Sequence, residues 1–281
     1  MYAGLLQAWD PRKACVLNCP AWSLSDEAFF YVAFLFVLPV VARWGVRRLI
    51  VAAVAAYALA LLAPTLYLAL RPDGAVPAEP QSLGRWLAVV KYNPLIRLPE
   101  FVLGVLAGRW FLLDTRPSGR WYIGLEIGAA LALLALLLAS PWIPYPLLHN
   151  GLLAPAFAAL VYALARGAGP LSGVLSTPVL VRLGAASFAL YILHVPLLTW
   201  LTRGFRVAGI TPPAQPWHFA IFATLSITVS LLVFAGVEEP GRRILRRRLT
   251  RRRAAASAAS GSVGGEAATI GESRMVSGER I

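Results

Sequence analysis

Few residues in this chain can move a proton or hold a charge, and several of them lie inside apolar stretches. Glu27 follows Trp22 and Ser23 in WSLSDEAFFYVAFLFVLP. Ser187, Tyr191 and His194 punctuate GAASFALYILHVPLLTWLT, and Arg97 and Glu100 open RLPEFVLGVLAGRW. A charge at mid-bilayer costs about 2.5–3.5 kcal/mol on insertion scales, so ionisable groups within apolar spans are functional candidates. A carboxylate and an imidazole are groups that take and return protons.

Spacing says which of these groups share a face. Ser187, Tyr191 and His194 are four and three residues apart, one stripe of a helix. Pro196 lacks an N–H and frees a backbone carbonyl near Ile192. A polar stripe beside a helix break predicts an inward-facing cavity, or else hydrogen bonds to neighbouring helices. Arg97 precedes Glu100 by three residues and is placed to pair with it. Ser23 and Asp26 read as a helix start, with Asp26 and Glu27 in the first turn near the positive end of the dipole. Trp22 suits a membrane–water boundary. That cluster is either a cap with an interfacial anchor or a site in which Glu27 faces a cavity. Gly104 and Gly108 form a GxxxG pair, expected to admit another helix closely. Glu126, between Gly124 and Gly128 near the cytoplasmic end, reads as an interfacial or packing residue. His149 and His218 fall at span ends within reach of water and are assigned no role.

The elements that must position these groups are membrane helices. The chain has 281 residues, 58% of them hydrophobic and 14% charged. Such a composition belongs to a polytopic membrane protein rather than a soluble domain. Hydropathy marks about seven spans, near 26–43, 49–70, 95–113, 121–140, 147–165, 184–202 and 217–237. The fold class expected is all-α, a transmembrane helix bundle. Three regions follow: a lead-in over 1–20, a membrane domain over 21–250 and a disordered tail over 251–281, rich in Ala, Ser and Gly.

Net charge is +13, much of it in EEPGRRILRRRLTRRR, which reads as a topology anchor beside anionic headgroups, so no nucleic-acid partner is expected. Arginines alternate along the connections: Arg43, Arg47 and Arg48, then Arg109, Arg116 and Arg120, then Arg166 and Arg182, against a mixed loop 71–94, an uncharged SPWIPYP and, fitting least, a connection with Arg203 and Arg206. The positive-inside rule puts the first three groups in the cytoplasm, with the C-terminus, and puts residues before Trp22 outside. The opening MYAGLLQAWDPRKACVLN lacks the basic start and apolar core of a signal peptide, so translocating it calls for further spans upstream. Cys15 and Cys19, four apart, are spaced to pair if oxidised but read rather as unrelated thiols, not a framework. No GxSxG, HExxH or P-loop occurs, and the ligand set is too sparse for a metal site.

Four segments together resemble the acyltransferase 3 family, integral membrane enzymes that O-acylate bacterial surface glycans and related molecules. NCPAWSLSDEAFFYVAFLFVLP resembles its N-x-x-x-W-S-L-x-x-E-x-x-F-Y signature. RLPEFVLGVLAGR is similar to its Arg-x-x-Glu-Phe span, LGAASFALYILHVPLL to its S-x-x-x-Y-x-x-H-x-P segment, and VEEPGRRIL to its closing E-x-P-x-R element. The resemblance covers residues 18 to 250. It implies transfer of an acyl group, commonly acetyl, from acyl-CoA as donor substrate to a hydroxyl of a sugar or glycan. No bound cofactor and no metal is implied. The location implied is the inner (cytoplasmic) membrane, with the lipid bilayer as partner. By position, Glu27 and His194 become catalytic candidates. Trp22, Ser23, Arg97, Glu100, Ser187 and Tyr191 become substrate-binding ones, and Glu238 or Glu239 matches the last motif.

The family's first span carries an arginine and a histidine thought central to catalysis, and nothing here matches it. Three spans upstream would bring the total to the family's usual count and place an N-terminus in the cytoplasm. The chain is therefore expected to be the C-terminal part of such an enzyme, through a mis-called start or a genuine truncation, and to be either an active enzyme or an inactive piece of one. A small-molecule transporter or flippase, or a non-catalytic membrane partner, is the alternative. Transporters often carry internal repeats, and none is found between the halves.

Overall fold

In a computed structural model, residues 2–82, 84–117, 119–210, 216–248 and 250 are described. The expected disordered tail, 251–281, lies outside the described residues. Among them there are helices and turns but no strand. The chain divides into two compact units, one comprising residues up to Gly184 together with Tyr191 onward to 210, the other 185–190 and Pro216 onward.

In the first unit, short 3₁₀ turns (Tyr2–Gly4, Gln7–Trp9, Cys19–Ala21) lead into α1 (Trp22–Val41). Then come α2 (Val46–Leu70), α3 (Arg85–Tyr92), α4 (Pro94–Leu113) and α5 (Arg120–Leu138). A broken span follows, α6 (Tyr145–His149) and α7 (Ala154–Arg166), then the short α8 (Pro170–Leu175) and α9 (Pro178–Ala185). Helix α10 (Ser187–Val207) crosses the division between units. The second unit holds α11 (Pro216–Val233), continued by a π-helical turn, Phe234–Glu238. There Arg242 pairs with Glu238 and Arg243 with Glu239, one helical turn apart.

Among the described residues, six helices are long and apolar enough to cross a membrane. Helix α4 is 20 residues long and carries three charges, Arg97, Glu100 and Arg109. It packs against α1, α2, α3 and α7, so its charges face protein. The outward faces are apolar instead: Phe36 is 72% exposed and Leu138 67%. Buried polar residues include Ser25, Asp26, Lys91, Glu126 and Asn150. That inversion is what a bilayer demands, because apolar side chains lose nothing by facing lipid.

Several local expectations change. Helix α1 starts at Trp22 after Ala21, with no side-chain cap. Ser23 lies inside the first turn and donates back to the Pro20 carbonyl at 3.1 Å. Asp26 and Glu27 thereby fall beyond the first turn. Cys15 and Cys19 are joined in a disulfide rather than being unrelated thiols, the turn Cys19–Ala21 folding the lead-in back on itself. Gly104 and Gly108 meet no helix: a Cβ on either would have nothing within 4 Å. They line instead a 550 Å³ groove between α4 and α7, which Glu100 borders.

At the far end of α4 the packing is locked by charge. Arg166 donates to the carbonyls of Phe111 and Asp114, at 2.9 and 2.8 Å, filling acceptors the helix end leaves open. The Asp114 carboxylate accepts from Tyr122 at 2.6 Å and from Tyr162, and pairs with Arg116 at 2.9 Å. The two phenol hydroxyls, then Arg116, hold its carboxyl well below the usual range. Glu126 is wholly buried and accepts from the Leu171 N–H at 2.7 Å and from the Ser172 hydroxyl. Of the interfacial and packing roles that its place in the sequence left open, complete burial fits packing.

Candidate functional site

A polar cluster sits where α1 begins, at the junction of α3, α4 and the α6–α7 turn. Each element reaches it for a local reason. Asn93 caps α4, accepting from the Leu95 N–H at 3.0 Å, with Pro94 in the first helical position. Arg97 and Glu100 then fall one turn in. Asp73 caps α3, accepting from the N–H groups of Trp86 and Leu87 at 3.0 and 2.9 Å. That orients Lys91 and Tyr92 at the other end of α3. Gly151, at φ +74°, turns the chain between α6 and α7, and a Cβ there would lie 2.9 Å from that of Ala60 on α2.

Arg97 is the hub. Its Nη1 donates to Glu100 Oε1 at 3.2 Å, to Asn150 Oδ1 at 2.8 Å and to the His149 carbonyl. Glu100 Oε1 also accepts from the Gly151 N–H at 2.6 Å. One ion pair thus clamps α4 to the α6–α7 turn. The guanidinium lies 5.7 Å over the Trp22 ring. Trp22 in turn meets Tyr92 at 5.3 Å and His149 at 6.0 Å, and Tyr145 stacks on His149 at 5.4 Å. Lys91 Nζ lies 5.0 Å from the Tyr92 ring and 5.4 Å from that of Tyr145, and donates to the Pro80 carbonyl. Asp26, one turn beyond Trp22 on α1, is 3% exposed. The arrangement offers aromatic faces beside hydrogen-bonding cations and carboxylates.

Of the residues expected from the sequence, Trp22, Arg97 and Glu100 come together here. Ser23 is adjacent in chain but committed to Pro20. Glu27 is exposed rather than facing a cavity, and accepts from Tyr31 one turn on. Neighbouring residues on a helix point about 100° apart, so burying Asp26 turns Glu27 outward. His194 is half-buried, its Nδ1 2.6 Å from the Tyr191 carbonyl. Ser187 and Tyr191 are exposed, and Ser187 belongs to the second unit, so the stripe is not closed into a cavity within either unit.

His149, Asn150, Lys91, Tyr92 and Tyr145 escaped the sequence reading. Their signals were weak: α3 is eight residues inside a mixed loop, and α6 is five residues of a Pro-rich one. Neither His149 nor His218 is a water-exposed span end, since the Nε2 of His149 and both ring nitrogens of His218 are buried. Among the described residues, no three His, Cys, Asp or Glu side chains converge to hold a metal ion.

A family model described as an acyltransferase domain matches residues 5–235. Acyltransferase MdmB of Streptomyces mycarofaciens is 31% identical over 255 residues, covering 86% of this chain and 63% of MdmB. The chain thus matches less than two thirds of that relative's length. No solved structure matches.

Proposed function

The chain belongs to the acyltransferase 3 family, and from that premise we propose that it is a membrane O-acyltransferase. In this reading it moves an acyl group, commonly acetyl, from acyl-CoA to a hydroxyl of a sugar or glycan. The observation that carries it is the convergence of Trp22 with Arg97 and Glu100, residues from two family motifs 75 positions apart in the chain (22 to 97). A sugar presents apolar ring faces and hydroxyls together. Trp22, Tyr92 and Tyr145 supply flat faces, while Arg97, Glu100 and Lys91 supply partners for hydroxyls.

Acyl transfer to a hydroxyl needs a base for its proton and donors for the developing oxyanion. Glu27 and His194 enter as acid–base groups that exchange their local bonds, to Tyr31 and the Tyr191 carbonyl, for substrate. Ser23 and Tyr191 join Trp22, Arg97 and Glu100 as binding residues, and Ser187, in the second unit, is assigned a binding role from the family motif alone. Residues before Trp22 lie outside the cytoplasm and the C-terminus inside, in an inner membrane. The arginine pattern supports that orientation, and so does the Cys15–Cys19 disulfide, a bond that persists in oxidising compartments.

The test is label transfer from radiolabelled acetyl-CoA in membranes carrying the protein. Base-labile label on a glycan or other hydroxyl acceptor is the expected result. Substrate flux without acyl transfer points to a transporter, and neither activity points to a non-catalytic membrane partner; both overturn the reading.

A further inference from the structure

We propose that the turn between α1 and α2 holds an anionic phospholipid, its phosphate on Arg47 and Arg48 and one acyl chain along α2. This seat lies apart from the cluster of Trp22, Arg97 and Glu100, and it stands or falls independently of acyl transfer.

Shape and spacing point to an amphiphile. A 570 Å³ groove is lined by Trp44, Arg47, Arg48, Val51, Ala52 and Ala55. The five from Arg47 onward follow gaps of one, three, one and three residues, so they share one stripe of α2, with Trp44 just before the helix. One end of the stripe is cationic and the other wholly apolar. Ala52 and Ala55 carry only a Cβ and leave a channel that a larger side chain would fill. A rise of 1.5 Å per residue sets Ala55 about 10 Å beyond Arg48. The hydrocarbon of one leaflet is about 15 Å deep, so the channel has the depth at which a chain hangs below its phosphate. Val51, 64% exposed, opens it sideways, and a lipid enters from the bilayer without crossing protein.

Charge says which amphiphile. No Asp or Glu occurs between Glu27 and Asp73. Arg47 and Arg48 are exposed, and the ion pairs among the described residues all lie elsewhere. Arg109 brings a third guanidinium from α4, its Nε donating to the Trp44 carbonyl at 3.4 Å. Asp114, at the end of α4, is already committed to Tyr122, Tyr162 and Arg116. Uncompensated guanidiniums above an apolar channel match an anionic head, and a phosphodiester accepts the paired N–H groups that arginine presents. A zwitterionic head brings its own cation to the same place and gains less. Trp44 sits at the boundary, the level where indoles settle. By the arginine pattern this is the cytoplasmic side, where basic clusters beside membrane helices recognise anionic headgroups.

The test titrates phosphatidylglycerol and phosphatidylcholine into the purified full chain in detergent and counts retained lipid by native mass spectrometry. A basic side chain near an anionic surface contributes about fivefold, so wild type should retain phosphatidylglycerol about 30-fold over phosphatidylcholine. Arg47→Gln combined with Arg48→Gln should remove most of that preference. Ala55→Phe keeps both charges but fills the channel, and should weaken phosphatidylglycerol retention at least about fivefold. Arg203→Gln combined with Arg206→Gln removes equal charge from α10 and should leave retention within about twofold of wild type. Equal retention of the two lipids by wild type overturns the proposal. So does a preference that survives the Arg47 and Arg48 changes, or an Ala55→Phe protein that retains phosphatidylglycerol as wild type does. A loss as large from the Arg203 and Arg206 changes also overturns it, by showing that net charge and no seat draws the lipid. If the Arg47 and Arg48 variant keeps phosphatidylglycerol but loses affinity for acyl-CoA, the arginines hold the donor's phosphates and the lipid seat is refuted. If that double variant does not accumulate, Arg48→Gln and Ala55→Phe are read in the same way.

Discussion

The side-chain amide of Asn18 donates to the backbone carbonyl of Ile192 at 2.8 Å, across 174 residues of sequence. Ile192 stands four residues before Pro196, which has no N–H to give it. The first and third family motifs are therefore joined through the one acceptor that the proline releases. In a membrane no water is at hand to fill that acceptor, so a protein donor must.

Removing the donor tests this bond. Asn18→Ala is expected to destabilise the protein by about 1–3 kcal/mol, the cost of an unsatisfied buried carbonyl. Pro196→Ala restores a helical N–H to the same acceptor. In that background the loss from Asn18→Ala should shrink below about 1 kcal/mol. Thermal unfolding of the four proteins in detergent measures the coupling, and equal losses in both backgrounds would refute it.

Arg97 holds three acceptors, and both it and Glu100 are largely buried, at 17% and 22% side-chain exposure. Arg97→Ala leaves the Glu100 carboxylate without its ion pair and should cost about 3 kcal/mol. Arg97→Lys keeps the charge but cannot reproduce the planar fork, so it should recover only part of the loss. Unfolding temperatures rank the three proteins, and a Lys variant equal to wild type would show that charge alone suffices.

The glycines separate by position. Gly151→Ala forces a Cβ against Ala60 at positive φ and should cost at least about 1 kcal/mol. Gly104→Ala and Gly108→Ala meet open space and should change stability by less than about 1 kcal/mol, in the stabilising direction. If Gly104→Ala proves the more disruptive, a helix packs on that groove in the membrane.

Asp114 predicts a pH dependence. Tyr122 and Tyr162, followed by Arg116, depress its carboxyl in the folded state. A depressed carboxylate adds stability that is complete above its unfolded value and is lost as pH falls through the folded one. Wild-type stability should therefore hold from neutral pH down to the usual carboxylate range and decline below it. Asp114→Asn should be less stable at neutral pH and show a shallower acid decline. Unfolding temperatures from pH 7 downward check both, and parallel curves would remove Asp114 from the account.

The sequence by itself determined the features that depend on neighbours along the chain. Apolar runs of bilayer length meant helices. A three-residue spacing meant the Arg97–Glu100 pair, and Pro196 meant an open carbonyl near Ile192. Each rests on local geometry that a helix imposes wherever it sits. The tertiary structure alone decided which face of α1 is buried. That helix is apolar nearly all round, so its pattern names no inward side, and packing on α4 through Phe30 and Phe101 turned Asp26 in and Glu27 out. It also decided who answers an open group. Asn18 reaches Ile192, and α3 and the α6–α7 turn bring Lys91, Tyr92 and His149 to Trp22, because those partners lie tens to hundreds of residues apart and only the packed bundle makes them neighbours.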